Sequence, residues 1–75
     1  MSGIEHRITV DPKVCGGRPC IRGMRIRVSD ILDMLAGGAE RAEILTDFPY
    51  IEDADIDAAL EYAARSVDHR MIRAA

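Results

Sequence analysis

Breakers crowd the front of this chain: Pro12, Gly16, Gly17, Pro19 and Gly23 fall within twelve residues, and beyond them only Gly37-Gly38 and Pro49 interrupt the sequence. Proline fixes φ, lacks an amide proton and pushes its predecessor out of the helical region, while glycine punctuates turns. A long helix is therefore ruled out before residue 24, and only short extended pieces fit. Arg7-Ile8-Thr9-Val10 is one such piece, stopped at Asp11-Pro12, and Cys20-Ile21-Arg22 is a second. Arg25-Ile26-Arg27-Val28 alternates with period two, with Ile26 and Val28 on one side and Arg25 and Arg27 on the other. These runs predict a ribbon of two or three short strands. An isolated ribbon is marginal in water, so this one has to pack on helices or on another copy.

Helical spacing takes over where the breakers thin out. Ser29 is a favourable N-cap, Val28, Ile31, Leu32 and Leu35 recur at helical intervals, and Gly37-Gly38 supplies the stop. A second helix is predicted from about Glu40 to Phe48, with Ile44, Leu45 and Phe48 on its apolar side and Pro49 ending it. A third begins near Glu52, where Ile51 and Ile56 have the spacing of a hydrophobic staple. Ile56, Ala59, Leu60, Ala63 and Val67 continue its stripe, which either runs on to Met71 or gives way to fraying. Asp53 and Asp55 fall in its first turn, where the helix dipole favours negative charge. Asp53 and Asp57 repel at i,i+4, while Glu61 and Arg65 attract. The fold class predicted is α+β and mainly α, a single domain made of a basic ribbon segment over 1–28 and a three-helix segment over 29–75. The second and third helices and the turn Pro49-Tyr50-Ile51 have helix-turn-helix proportions, which any compact three-helix domain shares.

Charge divides along the same boundary. Residues 1–28 carry six Lys and Arg against Glu5 and Asp11, a net of +4, whereas residues 29–75 carry four Arg against eleven Asp and Glu, a net of −7. Such asymmetry suggests separate partners for the two halves or attraction between them. A chain of 75 residues buries only about 60–65% of its unfolded surface, with a margin of roughly 3–5 kcal/mol. Self-association, as a homodimer, is the expectation for so thin a core. No run approaches the ~20 apolar residues of a membrane span, and Met1-Ser2-Gly3 leads into charged residues instead of an apolar leader. The expected location is the cytosol, where Cys15 and Cys20 would be free thiols.

Several constellations invite chemistry and fall short of it. Cys15 and Cys20 with His6 and His69 match no usual zinc spacing; Cys20 is expected to pack inward, and nearby arginines to lower a thiol pKa. Asp53, Asp55 and Asp57 copy the start of a calcium loop, which would then need Gly and Glu where Ala58 and Ala64 stand. That run reads better as helix capping and an acidic exposed face. No metal and no cofactor is called for. The glycine and arginine turns at Gly16-Gly17-Arg18 and Arg22-Gly23-Met24-Arg25 suit an anion-binding nest or two plain turns. Neither histidine sits in a catalytic motif, and a chain this short is not expected to build a pocket of several hundred Å³ alone. The chain reads as a binding module and not an enzyme. If it binds DNA, the acids Glu52, Asp53 and Asp57 exclude the start of the third helix from the groove, leaving Arg18, Arg22, Arg25 and Arg27 as the DNA-binding candidates.

At Ile8-Thr9-Val10-Asp11-Pro12, at the string from Gly16-Gly17-Arg18-Pro19-Cys20 through Ile21-Arg22-Gly23-Met24-Arg25-Ile26, and at Phe48-Pro49-Tyr50, the chain resembles the bacterial domain-of-unknown-function family four-three-three over roughly residues 4 to 65. The resemblance implies a homeodomain-like three-helix fold after a short β segment. It also implies an antitoxin of the VapB kind, encoded beside a PIN-like ribonuclease toxin that it neutralises, repressing its own operon as a dimer on DNA. The chain departs from the family in placing Glu40 and Glu52 where Ser or Thr caps are common, which is expected to weaken those caps. PIN-type nucleases hold metal with clustered carboxylates, and an inserted guanidinium pairs with such a cluster bidentately. Arg18, Arg22 and Arg25 in the ribbon or Arg70 and Arg73 in the tail could supply it, and the tail pair, Arg70 and Arg73, is the favoured toxin-binding candidate. The alternatives are a stand-alone DNA-binding regulator and a structural interaction module.

Overall fold

In the computed structural model, which describes residues 4–69, the chain opens with one helical turn, α1 (Ile4–Arg7), and runs directly into β1 (Ile8–Thr9). A 3-10 turn over Cys15–Gly17 leads to β2 (Cys20–Ile21), followed by α2 (Val28–Ala36), α3 (Arg41–Asp47) and α4 (Asp53–His69). β1 and β2 pair antiparallel with Ile8 opposite Ile21 and Thr9 opposite Cys20. The architecture is the expected α+β arrangement, a two-stranded ribbon followed by three main helices.

The ribbon is shorter than its sequence pattern suggests. Arg7 closes the helical turn instead of opening the strand, and the third expected strand contracts to a single bridge between Cys20 and Arg27. The tight turn between them is the reason. Arg22 and Gly23 both take positive φ, 44° and 73°, and Met24 N–H donates to Ile21 O at 2.8 Å, the conformation of hairpin turns with two left-handed central residues. Gly23 adopts it without strain, but Arg22 has a Cβ and does so only because its side chain is held elsewhere. The alternation of burial survives without the strand: Ile26 and Val28 are buried, Arg25 is exposed and Arg27 half-buried.

Each of the three main helices starts with a carboxylate in the third position accepting the amide proton of the cap residue. Asp30 accepts from Arg27 N–H at 2.9 Å, Glu43 from Glu40 N–H at 2.8 Å and Asp55 from Glu52 N–H at 2.8 Å. This corrects one expectation: Ser29 lies inside α2 and Arg27 is its cap. At Glu40 and Glu52 the returning carboxylate accepts the cap residue's own amide proton. The glycine stop of α2 is as expected: Gly38 at φ 98° follows the cap Gly37, with Ala39 N–H donating to Met34 O and Gly38 N–H to Leu35 O, both at 3.0 Å.

Isoleucine makes the core. Ile21, Ile31, Ile44 and Ile56 are sealed from solvent, with Ile8, Ile26, Val28, Ile51, Ala58 and Ala59 around them. Phe48 and Tyr62 pack against its edge. Ile51 and Ile56 are both buried, as the staple spacing requires. The expected stripe on α4 leaves the core part way: Ile56 and Ala59 are buried, whereas Leu60 and Val67 are exposed. At 1.5 Å per residue the seventeen residues of α4 outrun the nine of α2 that cover it. Among the described residues no helix is long and apolar enough to cross a membrane.

Candidate functional site

The long-range ion pairs of the described residues end on the first turns of α4 or on Glu52 just before it, and two of them meet on one buried acid. Asp55 has no exposed surface. Arg22 approaches it as a fork, Nη2 at 2.8 Å from Oδ2 and Nε at 3.2 and 3.3 Å from the two oxygens, while a further Nη2 bond reaches Tyr50 O at 2.9 Å. Arg7 donates to Asp55 Oδ1 at 2.8 Å and to Glu52 Oε1 at 2.7 Å. Burial pushes the Asp55 carboxyl up, but the bonds from Arg22, the Glu52 amide and Arg7 outweigh it and hold the group below the ordinary carboxylate range. No buried side-chain polar atom among the described residues is left without a partner. Asp55 therefore belongs to the interior and not to the acidic exposed face expected for 53–57. Its position was legible in principle, because residues 55, 58, 59 and 62 share one helical face at i, i+3, i+4 and i+7, and Ala58 and Ala59 on that face are buried.

The flanking acids of that run do stay on the surface. Arg41 reaches across from α3, with Nη1 2.9 Å from Asp53 Oδ1 and Nη2 bonded to Asp57 Oδ1. One guanidinium thus relieves the i,i+4 repulsion between the two aspartates. Glu61 and Arg65 pair at 3.1 Å as the spacing predicts. In the corner between α3 and α4, Phe48 and Tyr50 meet edge to face at 6.0 Å and 87°. The start of α4, which a helix-turn-helix protein would offer to DNA, is thus lined by carboxylates.

The four ribbon arginines separate into two pairs. Arg22 is tied to Asp55, and Arg27 to Asp30 through Nη2 at 2.8 Å. The Arg27 guanidinium holds the Asp30 carboxyl below its usual range. Arg18 and Arg25 are exposed and their side chains bind no carboxylate among the described residues. Arg70 and Arg73 lie outside the described residues.

Arg18 lines an apolar groove of about 410 Å³ between α2 and α4. Val28 and Leu32 form one wall, Tyr62, Ala63 and Val67 the other, and Pro19 closes one end, with Ser29 and Ser66 as its uncharged polar groups. Such a volume was not expected of so short a chain; it arises because the exposed end of α4 runs past α2 with nothing packed between them. The groove has one charged lining residue and no histidine or carboxylate, so it can hold an apolar segment but offers no acid or base.

The Cys15 and Cys20 thiols are both free. Cys20 is buried, as expected, and its Sγ–H donates to Arg18 O at 3.3 Å. Burial and the neighbouring Cys15 side chain push its pKa up, overriding the downward pull of Arg27. The expected lowering by arginines thus exists at Cys20 and loses to desolvation.

A family model described as "Protein of unknown function (DUF433)" matches residues 8–63. A crystal structure of a DUF433 member protein from Anabaena variabilis ATCC 29413 superposes with a TM-score of 0.80 at 31% identity, covering 87% of this chain and 64% of that one. The present chain thus spans about 64% of that protein's length. No curated protein matches the sequence.

Proposed function

The chain belongs to the DUF433 family, and on that premise we propose that it is an antitoxin-like binding protein that docks a partner protein in the groove between α2 and α4. One observation carries the reading. The groove is apolar along both helical walls and carries, at Arg18, a single cation that no carboxylate of the described residues neutralises. The occupant this fits is an amphipathic segment with aliphatic anchors at helical spacing and an acidic group at one end. A nuclease of the PIN-like kind supplies such acids, since its metal site is built from carboxylates. Arg70 and Arg73, one and four positions after His69 in the sequence, are proposed to reach that cluster while the groove holds the adjoining segment.

The test is co-expression with the product of the adjacent gene, which the reading requires to be a PIN-like nuclease, followed by a ribonuclease titration. Stoichiometric inhibition that weakens at least tenfold in a chain lacking residues 70–75 is the expected result. A nuclease that stays fully active at excess protein rejects the reading. Unchanged inhibition by the shortened chain rejects the role given to Arg70 and Arg73.

Operator binding is the second reading, favoured by the exposed side chains of Arg18 and Arg25, which pair with no carboxylate among the described residues, beside the engaged Arg22 and Arg27. Binding to the promoter of its own operon should weaken steeply with salt, because phosphate contacts release counterions. A flat salt response would be incompatible with it.

A further inference from the structure

We propose that the α2–α4 groove is a binding site for a small amphiphilic carboxylate, of the medium-chain fatty acid class, whose headgroup pairs with Arg18 and whose tail lies between the two helices. The polarity of the groove carries the inference. Both helical walls are apolar, about 410 Å³ is open between them, and Arg18 is the one charged residue of the lining. A concavity of that size with apolar walls and a few placed polar groups is the usual form of a small-molecule site. From Tyr62 to Val67 the α4 wall rises about 7.5 Å, which suits a chain of medium length.

The backbone holds the cation in place. Arg18 N–H donates to Cys15 O at 3.3 Å, Arg18 O accepts the Cys20 S–H at 3.3 Å, and Pro19 O accepts Val28 N–H at 2.9 Å, which ties this loop to the first turn of α2. The Arg18 side chain itself is exposed and pairs with no carboxylate among the described residues. Asp30, the acid of that first turn, is already engaged by Arg27 at 2.8 Å. Ser29 lines the groove from the same turn and adds a hydroxyl donor, whereas the Ser66 hydroxyl on the opposite wall donates to Tyr62 O at 2.9 Å and is spent within α4.

These groups select the headgroup. A carboxylate is ionised at neutral pH and accepts two parallel bonds from one guanidinium. An ammonium would meet Arg18 as a like charge, and an alcohol would leave that charge unpaired. The fatty acid therefore claims the same walls and the same cation as an acidic amphipathic segment, and its arrival displaces such a segment. The ligand site stands on the groove's own geometry; the displacement rests on the docking reading above.

The experiment titrates the full chain with octanoate, octan-1-ol and octylammonium, each below its micelle-forming concentration, and follows the amide NMR spectrum. Octanoate should shift Ser29, Leu32, Ala63 and Val67 saturably and bind about tenfold tighter than the alcohol, with octylammonium the weakest. Arg18→Gln should bring octanoate down to the level of the alcohol, while Lys13→Gln, which removes a cation outside the groove lining, should leave its affinity unchanged. Shifts that scatter over the surface without saturating overturn the site. Equal affinities for acid and alcohol in the wild type, or an unchanged octanoate affinity in Arg18→Gln, overturn the headgroup assignment. A nuclease complex should dissociate as octanoate saturates, and one that holds both at once overturns the displacement. A chain that takes up octanoate but no nuclease counts against the docking reading and upholds the ligand site.

Discussion

At its first turns α4 is fixed by charge, with Arg7 and Arg22 converging on a sealed Asp55 and Arg41 bracing Asp53 and Asp57 from α3, whereas towards its end the same helix turns an apolar face, Tyr62, Ala63 and Val67, to an open groove, with Val67 66% exposed. The difference teaches which contacts serve stability and which are available to a partner. A buried acid satisfied by two guanidinium groups and a backbone amide locks geometry, because every partner that departs leaves a desolvated charge behind. An apolar wall in water has the opposite tendency, since covering it with anything apolar is favourable by roughly 25 cal/mol per Å². One end of the helix is a structural anchor and the other an offered surface.

Removing the anchor should have the largest effect. Asp55→Ala deletes the acceptor of Arg7, Arg22 and the Glu52 amide and leaves a small void, a loss of about 3 kcal/mol, comparable to the whole margin expected for a domain of this size. Urea denaturation followed by far-ultraviolet circular dichroism reads it, and a loss below about 0.5 kcal/mol would break the distinction between the two ends. Acid sharpens the same point. The Asp55 and Asp30 carboxyls are held below their usual range when folded, so their stabilising contribution is present above the unfolded value of about 4 and is lost as pH falls through the lower folded values. The stability difference between wild type and Asp55→Asn should therefore be widest near neutral pH and shrink in acid; a gap that stays constant down to low pH assigns the effect to packing instead.

At the other end the expectation inverts. Val67→Lys places a charge on the exposed wall and should change stability by less than about 0.5 kcal/mol while weakening partner binding at least tenfold, read by calorimetric titration. A large drop in melting temperature with unchanged binding would show that this end, too, belongs to the fold. The smallest effect belongs to Arg41→Ala, because both of its carboxylate partners are exposed. It should lower the melting temperature slightly at low ionic strength and not at all in about 1 M salt, where such pairs are screened.

What local chemistry governs was legible before any tertiary contact was known. The breakers at 12, 16, 17, 19 and 23 limit the front to two-residue strands, the Ile51 and Ile56 spacing and the Gly37-Gly38 stop mark helix ends, and the alternation at 25–28 sorts Ile26 and Val28 inward. Caps were read less well. Ser29 has the favourable residue type, yet Arg27 with Asp30 won because a carboxylate three residues on can return to the cap amide, a reciprocal rule that scanning for Ser and Thr overlooks. The site was less legible still. Arg18, Arg22, Arg25 and Arg27 look alike as a row of basic residues, and nothing near Arg22 in sequence says that it will be held while Arg18 is left at a groove.

The sequence by itself determined the class of fold, the order of ribbon and three main helices, and the charge division between a basic front and an acidic back, because those follow from φ restrictions, periodicity and composition acting over a few residues. Only the tertiary structure decided which acid goes inside, which arginines remain available and where the apolar groove opens. Arg22 and Asp55 are separated by 33 residues and Arg7 and Asp55 by 48. Contacts at such separations exist only once the ribbon has folded back onto α4, so no local pattern encodes them.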